Sequence, residues 1–324
     1  MRNRVLGFAV FAAVLLAVPA VFTRVPFYTM SVAIFIALFG LAALGLVPLT
    51  GRAGQVSMGQ AAFYGIGAYT TALLTTKYHM GVLFSVLAGL ALGALVAWLV
   101  GLFIFRTQGH YLALATLAFG LALGFLFNQL EFTGANNGLS GLPPLRPFGL
   151  DLSDNVTMWY FIAAVLFLAV LAVDALLRSD IGRALTALGD SPIATAASGI
   201  SISALRRWAF TLAGGLAGLA GALHAHWQMT VDPGMLHILN SVYLLIFATV
   251  GGLRTVWGPL LGAFAVTTLS EMSKLYIPMV LPNARGSYEI VVYGLALILV
   301  LVFLPNGVAG GLTSLWRRLR TART

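Results

Sequence analysis

The chain has 324 residues, of which 60% are hydrophobic and 8% are charged. Soluble globular chains carry roughly 25% charged residues, so the composition excludes an ordinary soluble protein and indicates a polytopic membrane protein. The net charge of +9 would suit nucleic acid, but the placement of the basic residues indicates membrane flanks instead, and the absence of cysteine excludes disulfides and Cys-ligated metals.

Ten apolar runs follow one another, and most approach the ~20 residues that a helix needs to cross the hydrocarbon core. They cover 5–23, 27–49, 56–76, 81–105, 111–130, 156–177, 208–230, 238–253, 256–275 and 289–304. The first run resembles a signal peptide, but the many later spans favour an uncleaved helix. The 56–76 run is glycine-rich and the 238–253 run is short, so either could be broken or re-entrant. We expect an all-α fold of about ten transmembrane helices in one domain, 1–324.

The basic residues predict the orientation. With the N-terminus inside, 13 of them share one side: Arg2, Arg4, Arg52, Arg106, Arg178, Arg183, Arg206, Arg207, Arg254, Arg317, Arg318, Arg320 and Arg323. The other five fall on the opposite side: Arg24, Lys77, Arg146, Lys274 and Arg285. The positive-inside rule makes the richer side cytoplasmic. We therefore expect both termini and the loop 178–207 in the cytoplasm, membrane lipid around the spans and no nucleic-acid partner.

Within the loop 178–207, the interval 178–199 contains polar residues and residues that typically begin and end helices. Ser191 suits an N-cap, Pro192 the first helical position and Gly199 a left-handed stop, which predicts a separate helix of about two turns over 192–198. The helix offers Ile193 and then small residues: Ala194, Thr195, Ala196, Ala197 and Ser198. A membrane-surface anchor would be bulky on one face and basic on the other. We interpret the segment as a docking site for another protein, with an ordinary connecting loop as the alternative.

Glycines and hydrogen-bonding side chains precede the third span, in the stretch 51–60. Gln55, Ser57 and Gln60 belong to it. One interpretation is a cytoplasmic turn in which Ser57 caps a helix that starts near Met58. The other is a broken helix along a substrate path, because irregular backbone at membrane depth is tolerated only where it is buried or lines a cavity.

Two further stretches enter spans in a similar way. A tight turn at 106–110 leads into a small-residue helix that begins near Tyr111 and carries Thr116 at depth. The stretch 251–263 turns one short span into the next, and its small residues are more typical of helix packing than of substrate contact. The longest outer loop, 131–155, is rich in turn formers, so we expect it to be structured.

Several kinds of chemistry are missing from the sequence. Lys77 and Lys274 do not complete a G-x-x-x-x-G-K-[ST] P-loop, so the chain is not expected to hydrolyse ATP. Spans four and five contain no ionisable residue between their ends, which argues against ion coupling. His224 and His226 project to different helix faces, so we expect no shared metal site. These features favour a helical transport protein that takes its energy from a partner.

The motifs together resemble the LivM-type permease of branched-chain amino acid ABC importers, over about residues 30–305. They are Gly51-x-x-Gly54-Gln55-Val56-Ser57-x-Gly59, Gly65-x-Gly67-Ala68-Tyr69, Gly109-His110-Tyr111-Leu112-Ala113-Leu114-Ala115-Thr116-Leu117-Ala118, Gly138-Leu139-x-Gly141-Leu142-Pro143, Gly182-Arg183-Ala184-Leu185, Ala209-Phe210, Ala217-Gly218-Leu219-Ala220-Gly221-Ala222-Leu223, Gly251-Gly252 and Gly258-Pro259-x-x-Gly262-Ala263.

The resemblance implies a central cytoplasmic coupling loop that fits a groove on an ATPase. It also implies a paralogous LivH-type permease, two cytoplasmic ATPases that use the ATP, and a periplasmic solute-binding protein, with no cofactor bound by this chain. Gln60 stands where the family often has His, and Ala135-Asn136-Asn137-Gly138 departs from a more usual Gly-Gly-x-(Asp/Asn)-Gly. Relatives of this type carry urea, short amides or aromatic acids as well as leucine-like amino acids, so these substrates stay open.

We therefore predict a bacterial inner-membrane permease subunit, not an enzyme, that translocates branched-chain or other hydrophobic amino acids. The candidate pathway contacts are Gln55, Ser57, Gln60, Tyr69, Tyr111 and Thr116. The candidate coupling residues are Gly182, Arg183, Ser191, Pro192, Ile193, Ala194, Ala196, Ala197 and Gly199. A stand-alone channel or ion-coupled carrier is the first rival. A membrane-embedded enzyme is the second, and it would need clustered acid, base or metal-binding groups.

Overall fold

The computed structural model describes residues 2–22, 29–105, 110–147 and 151–280, together with 294, 295, 307 and 310. In this part of the chain the α-helices are α1 (Arg2–Phe22), α2 (Met30–Leu44), α3 (Gln60–Thr76), α4 (Val82–Ile104), α5 (His110–Gln129), α6 (Asn155–Arg178), α7 (Asp180–Asp190), α8 (Pro192–Ala197), α9 (Ile202–Gln228), α10 (Ile238–Gly251) and α11 (Gly258–Val280). The chain is thus mostly helical, as predicted.

The number of membrane crossings stays a prediction. Among the described helices, five are long and apolar enough to cross a membrane, namely α1, α4, α5, α6 and α9, and α2 and α10 are shorter apolar helices. At ~1.5 Å per residue, the 14 residues of α10 reach only about 21 Å, less than the ~30 Å hydrocarbon core. The predicted tenth span, 289–304, lies outside the described residues except for positions 294 and 295.

The predicted second span is interrupted. The helix α2 ends at Leu44, and the chain continues as a π-helical turn, Val47–Arg52. Pro48 explains the break, because it has no amide hydrogen to donate and its ring clashes with the carbonyl four residues earlier in an α-helix. This turn leads into the irregular stretch that precedes α3.

The centre of the fold is α9, which is mostly buried between α3 and α4. The buried face of α4 repeats small residues every four positions: Ser85, Gly89, Gly93, Ala97 and Gly101. Gly89, Gly93 and Ala97 of this face meet a matching row on α9, Gly214, Gly218 and Ala222. Small side chains let helix backbones approach closely, and close packing replaces the hydrophobic driving force that lipid does not supply. The glycines of α4 and α9 therefore serve helix packing.

The described part of the loop after α5 is structured, as predicted, and it contains a strand as well as helical turns. It contains two 3-10 turns, Glu131–Thr133 and Ala135–Asn137, and then a two-residue strand β1, Leu139–Ser140. This strand pairs antiparallel with β2, Thr230–Val231, which follows α9. The pairing fixes this loop to the C-terminal end of the central helix α9.

Candidate functional site

The predicted docking helix is present as α8, Pro192–Ala197, one residue shorter than predicted. The Ser191 hydroxyl accepts a hydrogen bond from the Ala194 amide at 3.3 Å, which confirms it as the N-cap. Gly199 adopts a left-handed conformation with φ of +78°, and its amide donates to the Ala196 carbonyl at 2.9 Å. Local capping therefore sets both ends of the helix.

The outward face of α8 carries the candidate coupling residues. Ile193 is 85% exposed, and its neighbours Pro192, Ala194, Ala196 and Ala197 are also exposed. Thr195 faces inward, is buried and donates a hydrogen bond to the Ser191 carbonyl at 3.0 Å. The inward face of the helix is thus buried at Thr195, and its outward face presents one bulky apolar side chain among small residues.

The sequence analysis missed the helix α7, Asp180–Asp190, which supports α8. Ser179 caps it by accepting from the Gly182 amide, and Leu185 and Leu188 form its buried face. The sequence does contain a signal for this helix, namely a Ser cap followed by apolar residues three positions apart. The signal was missed because it lies in a polar stretch. The fold also separates the two α7 candidates: Gly182 is buried, whereas Arg183 is exposed and paired with Asp180.

The helix α7 rests directly on the π-helical turn. A side-chain carbon at Gly189 would overlap the carbonyl oxygen of Arg52, so only glycine fits this contact. The Arg52 guanidinium lies 3.4 Å from the Thr186 hydroxyl oxygen of α7 and 3.2 Å from the Arg254 carbonyl oxygen before α11. The docking segment α7–α8 is therefore joined to the stretch that carries the pathway candidates.

The residues 53–59 form no regular helix, and Ser57 caps none, so the capped-turn interpretation, one of the two given for this stretch, is wrong on that point. The helix α3 starts at Gln60 with Gly59 at its N-cap position and no side-chain cap. The Met58 amide instead donates to the Thr116 hydroxyl of α5 at 3.0 Å, and this bond holds the chain away from a helical path. Ser57 is buried, and its hydroxyl has no hydrogen-bond partner among the described residues.

The other candidates of this stretch are also buried. The Gln55 side chain donates to the Ala53 carbonyl at 2.9 Å. Gln60 is fully buried and donates to the Ala213 carbonyl of α9 at 2.7 Å, while its own carbonyl oxygen has no partner in the described part of the chain. Burying an unpaired polar atom costs about 1–3 kcal/mol, so unpaired atoms at Ser57 and Gln60 are features that need a physical reason.

The two tyrosines lie apart from this group. Tyr69 is buried farther along α3, where its ring meets Phe127 of α5 at 4.7 Å, and its hydroxyl has no partner among the described residues. Tyr111 is 73% exposed at the start of α5. It shares its exposed helix face with Leu114 and Phe125. Thr116 thus contacts the stretch that carries Gln55, Ser57 and Gln60, whereas Tyr69 and Tyr111 lie apart from it. The apolar sequence of α5 does not reveal this distinction.

The two histidines of α9 have separate partners, as predicted from their spacing. His224 pairs with the Tyr64 hydroxyl. His226 bonds to the Thr71 hydroxyl and the Pro143 carbonyl, both at 3.0 Å. Because a carbonyl only accepts, the His226 nitrogen that faces Pro143 must carry the hydrogen. This bond ties the outer loop to the core.

A crevice of about 340 Å³, which the sequence analysis missed, opens among α2, α9, α10 and α11. Its lining is partly polar and partly aromatic, and includes Phe35, Trp227, Asn240, Thr267, Glu271 and Lys274. The Lys274 ammonium and the Glu271 carboxylate lie 2.8 Å apart. The buried Thr267 hydroxyl has no partner among the described residues. A positive group, a negative group and an apolar wall therefore line one small space.

Comparison with known proteins agrees with this architecture. Residues 28–301 match the family model described as branched-chain amino acid transport system / permease component. The high-affinity branched-chain amino acid transport system permease protein LivM of Escherichia coli is 30% identical over 304 residues, which cover 86% of this chain and 69% of the relative. The LivM protein of Salmonella typhimurium is 31% identical over 289 residues, 82% of this chain and 66% of the relative.

More distant relatives have other substrates in their names. The fructose import permease protein FrcC of Rhizobium meliloti is 26% identical over 204 residues, 60% of this chain and 57% of the relative. No solved structure matches the chain. The chain spans about two thirds of the length of the two LivM relatives.

Proposed function

Because the chain belongs to the family of branched-chain amino acid transport permeases and is of the LivM type, we propose that it translocates branched-chain or other hydrophobic amino acids as one subunit of an ATP-driven importer. The observation that carries this proposal is the exposed Ile193 on α8. Ile193 is 85% exposed and, with the exposed Pro192, Ala194, Ala196 and Ala197, forms a contiguous apolar surface on a helix with two caps. A contiguous apolar surface of this kind marks a site that another protein covers.

The proposed partners follow from the surfaces that this chain leaves uncovered. Two cytoplasmic ATPases bind and hydrolyse the ATP, and one of them receives α8. A LivH-type permease covers the exposed face of α5 that includes Tyr111, Leu114 and Phe125, and this supports a pathway between the two permeases. A periplasmic binding protein delivers the substrate to the outer side. In this arrangement the chain lies in a bacterial inner membrane with both termini and the coupling loop 178–207 in the cytoplasm.

The mechanism uses the contact between α7 and the π-helical turn. When the ATPases close, they displace α8 and with it α7. The close contact of Gly189 with Arg52 passes this displacement to residues 53–59. The hydrogen bond from Met58 to Thr116 then moves α5 together with the unpaired groups of Ser57 and Gln60. The rigid elements α7 and α8 make a two-state movement of this stretch the natural response.

The outer crevice supports an amino acid as the substrate. An amino acid has a carboxylate, an ammonium group and, in the branched-chain case, an apolar side chain. Lys274 and Glu271 supply the opposite charges, and Phe35 and Trp227 supply an apolar wall. A sugar such as fructose, which the name of the FrcC relative suggests, has no charge to engage this pair.

The test is uptake by the assembled importer in proteoliposomes. The chain is purified with its paralogous permease, two ATPases and the binding protein, and ATP is enclosed on the ATPase side. We expect ATP-dependent uptake of labelled leucine that excess isoleucine or valine inhibits and that fructose and urea do not. ATP-dependent uptake of fructose or urea without leucine uptake would reject the substrate proposal. Uptake by this chain alone, driven by an ion gradient, would reject the importer proposal.

A further inference from the structure

An apolar groove runs along α1, away from the site described above. It has a volume of about 450 Å³ and lies between α1 and the helices α2, α6 and α11. On α1 its lining repeats every three or four residues: Gly7, Val10, Phe11, Val14, Leu15, Val18 and Phe22. At ~1.5 Å per residue, the stretch 7–22 is about 22 Å long. The groove therefore follows the direction of lipid acyl chains through most of the ~30 Å hydrocarbon core.

The chemistry of the groove wall decides what can fill it. The lining on α1, α2, α6 and α11 is almost entirely apolar. An extended peptide would bring backbone polar groups that an apolar wall cannot pair. A hydrocarbon chain brings no polar group and satisfies this wall along its whole length.

Positive charge lies at the cytoplasmic end of this groove. The buried Asp174 carboxylate accepts from Arg178 at 3.0–3.2 Å and also pairs with Arg4. Two arginines thus share one carboxylate, and 42% of the Arg4 side chain and 54% of the Arg178 side chain remain exposed. Phe8 connects this cluster to the groove, since the Arg4 guanidinium lies over its ring and its ring meets Trp257, which lines the groove.

We propose that the groove binds one acyl chain of an anionic phospholipid whose phosphate contacts Arg4 and Arg178. The apolar wall takes the hydrocarbon chain, and the surplus positive charge takes the headgroup. Guanidinium groups bind phosphate through paired, charge-assisted hydrogen bonds. Basic residues at the cytoplasmic surface attract anionic lipids in general, and the groove adds a defined place for the chain. The lipid would fill the space between α1 and the rest of the fold.

Photo-crosslinking of lipid tests the proposal. The full-length chain with its partner subunits is placed in phosphatidylcholine vesicles with a trace of phosphatidylglycerol that carries a diazirine in its acyl chain. A second set of vesicles carries the same acyl chain on phosphatidylcholine. Mass spectrometry then locates the cross-links. We expect phosphatidylglycerol to label α1 and the start of α11 about fivefold more than phosphatidylcholine, as one surplus basic group at the surface implies.

Three variants separate the groove from general lipid contact. Gly7 lines the groove and a Cβ atom there meets no atom within 4 Å, so Gly7→Leu puts a side chain into the groove and should reduce labelling there. The matched Ala9→Leu adds a side chain on the opposite, exposed side of α1 and should not change it. Arg4→Gln removes the surplus charge while Arg178 still pairs with Asp174, so the preference for phosphatidylglycerol should disappear.

Several outcomes of these experiments would contradict the proposal. Equal labelling of the groove and of the Ala9 side, or groove labelling that Gly7→Leu does not change, would mean ordinary annular lipid and would overturn the proposal. A wild-type groove that no lipid labels would mean that the protein itself fills it. A preference for phosphatidylglycerol that survives Arg4→Gln would overturn the assignment of the headgroup.

Discussion

Gly189 of α7 lies so close to the carbonyl oxygen of Arg52 that a side-chain carbon cannot be accommodated between them. This contact joins the docking segment to the irregular stretch before α3. Gly189 and Arg52 are 137 positions apart in sequence, and neither stretch of sequence indicates that the two are in contact. The coupling candidates and the pathway candidates therefore belong to one continuously packed structure.

The first prediction concerns this contact. Gly189→Ala places a methyl group against the Arg52 backbone, and overpacking of this kind costs about 1–3 kcal/mol. We expect α7 to move away from the π-helical turn, so that the complex still hydrolyses ATP but imports less substrate per ATP. The measurement is the ratio of uptake to hydrolysis in proteoliposomes. Gly81→Ala is the matched control, because a side chain there meets nothing within 4 Å. An unchanged ratio in Gly189→Ala would refute the proposed connection.

The second prediction concerns the hydrogen bond between Met58 and Thr116. Thr116→Val keeps a similar shape but removes the acceptor, which leaves the Met58 amide unpaired at a cost of about 1–3 kcal/mol. We expect faster hydrogen exchange across 53–59 and a lower maximal uptake rate with normal membrane levels. Thr249→Val is the control, because the Thr249 hydroxyl bonds only to carbonyls of its own helix. Exchange and uptake that match this control would show that the bond is not needed.

The third prediction concerns the crevice among α2, α9, α10 and α11. The Thr267 hydroxyl is buried without a partner among the described residues, so Thr267→Val should leave the melting temperature unchanged or raise it. If the hydroxyl contacts substrate, the KM for leucine uptake should rise about tenfold, which corresponds to ~1.4 kcal/mol. Loss of both stability and uptake would point to a structural role instead. An unchanged KM would exclude Thr267 from substrate contact.

The fourth prediction concerns orientation. The chain has no cysteine, so single cysteines can be placed at the exposed positions Ser140 and Ser198. In intact cells a membrane-impermeant maleimide should label Ser140→Cys from the periplasm, and Ser198→Cys should react only after the membrane is opened. Labelling of both from one side would mean that an odd number of crossings does not separate the outer loop from α8.

The parts of the site set by neighbouring residues could be predicted from the sequence. The caps of α8 at Ser191 and Gly199 are of this kind, because each depends on a few adjacent residues. A Ser57 cap, one of two interpretations of its stretch, followed the same logic and is wrong, because Thr116, distant in sequence, binds the Met58 amide instead. Long-range bonds of this kind leave no local pattern.

Which face of each helix is buried and which is exposed also could not be predicted from the sequence. Tyr111 and Tyr69 both lie on apolar helices, yet one is 73% exposed and the other is buried. In a membrane helix the lipid-facing and core-facing sides are both apolar, so hydrophobic periodicity does not separate them. The helix α7 was missed for the opposite reason, since a search for long apolar runs passes over a short amphipathic helix in a polar loop.

The central claim is that α8 is the surface on which an ATPase docks, and one co-purification measurement tests it most directly. Ala196→Arg puts a charged side chain on the exposed face of α8, where burial of an unpaired charge against a partner is strongly unfavourable. Pro192→Gly loosens the first turn but keeps the surface small, so it serves as the matched control. With both variants at normal membrane levels, we predict that Ala196→Arg loses most of the co-purified ATPase and that Pro192→Gly retains it. Full ATPase retention by Ala196→Arg would contradict the account and make α8 an ordinary connecting segment.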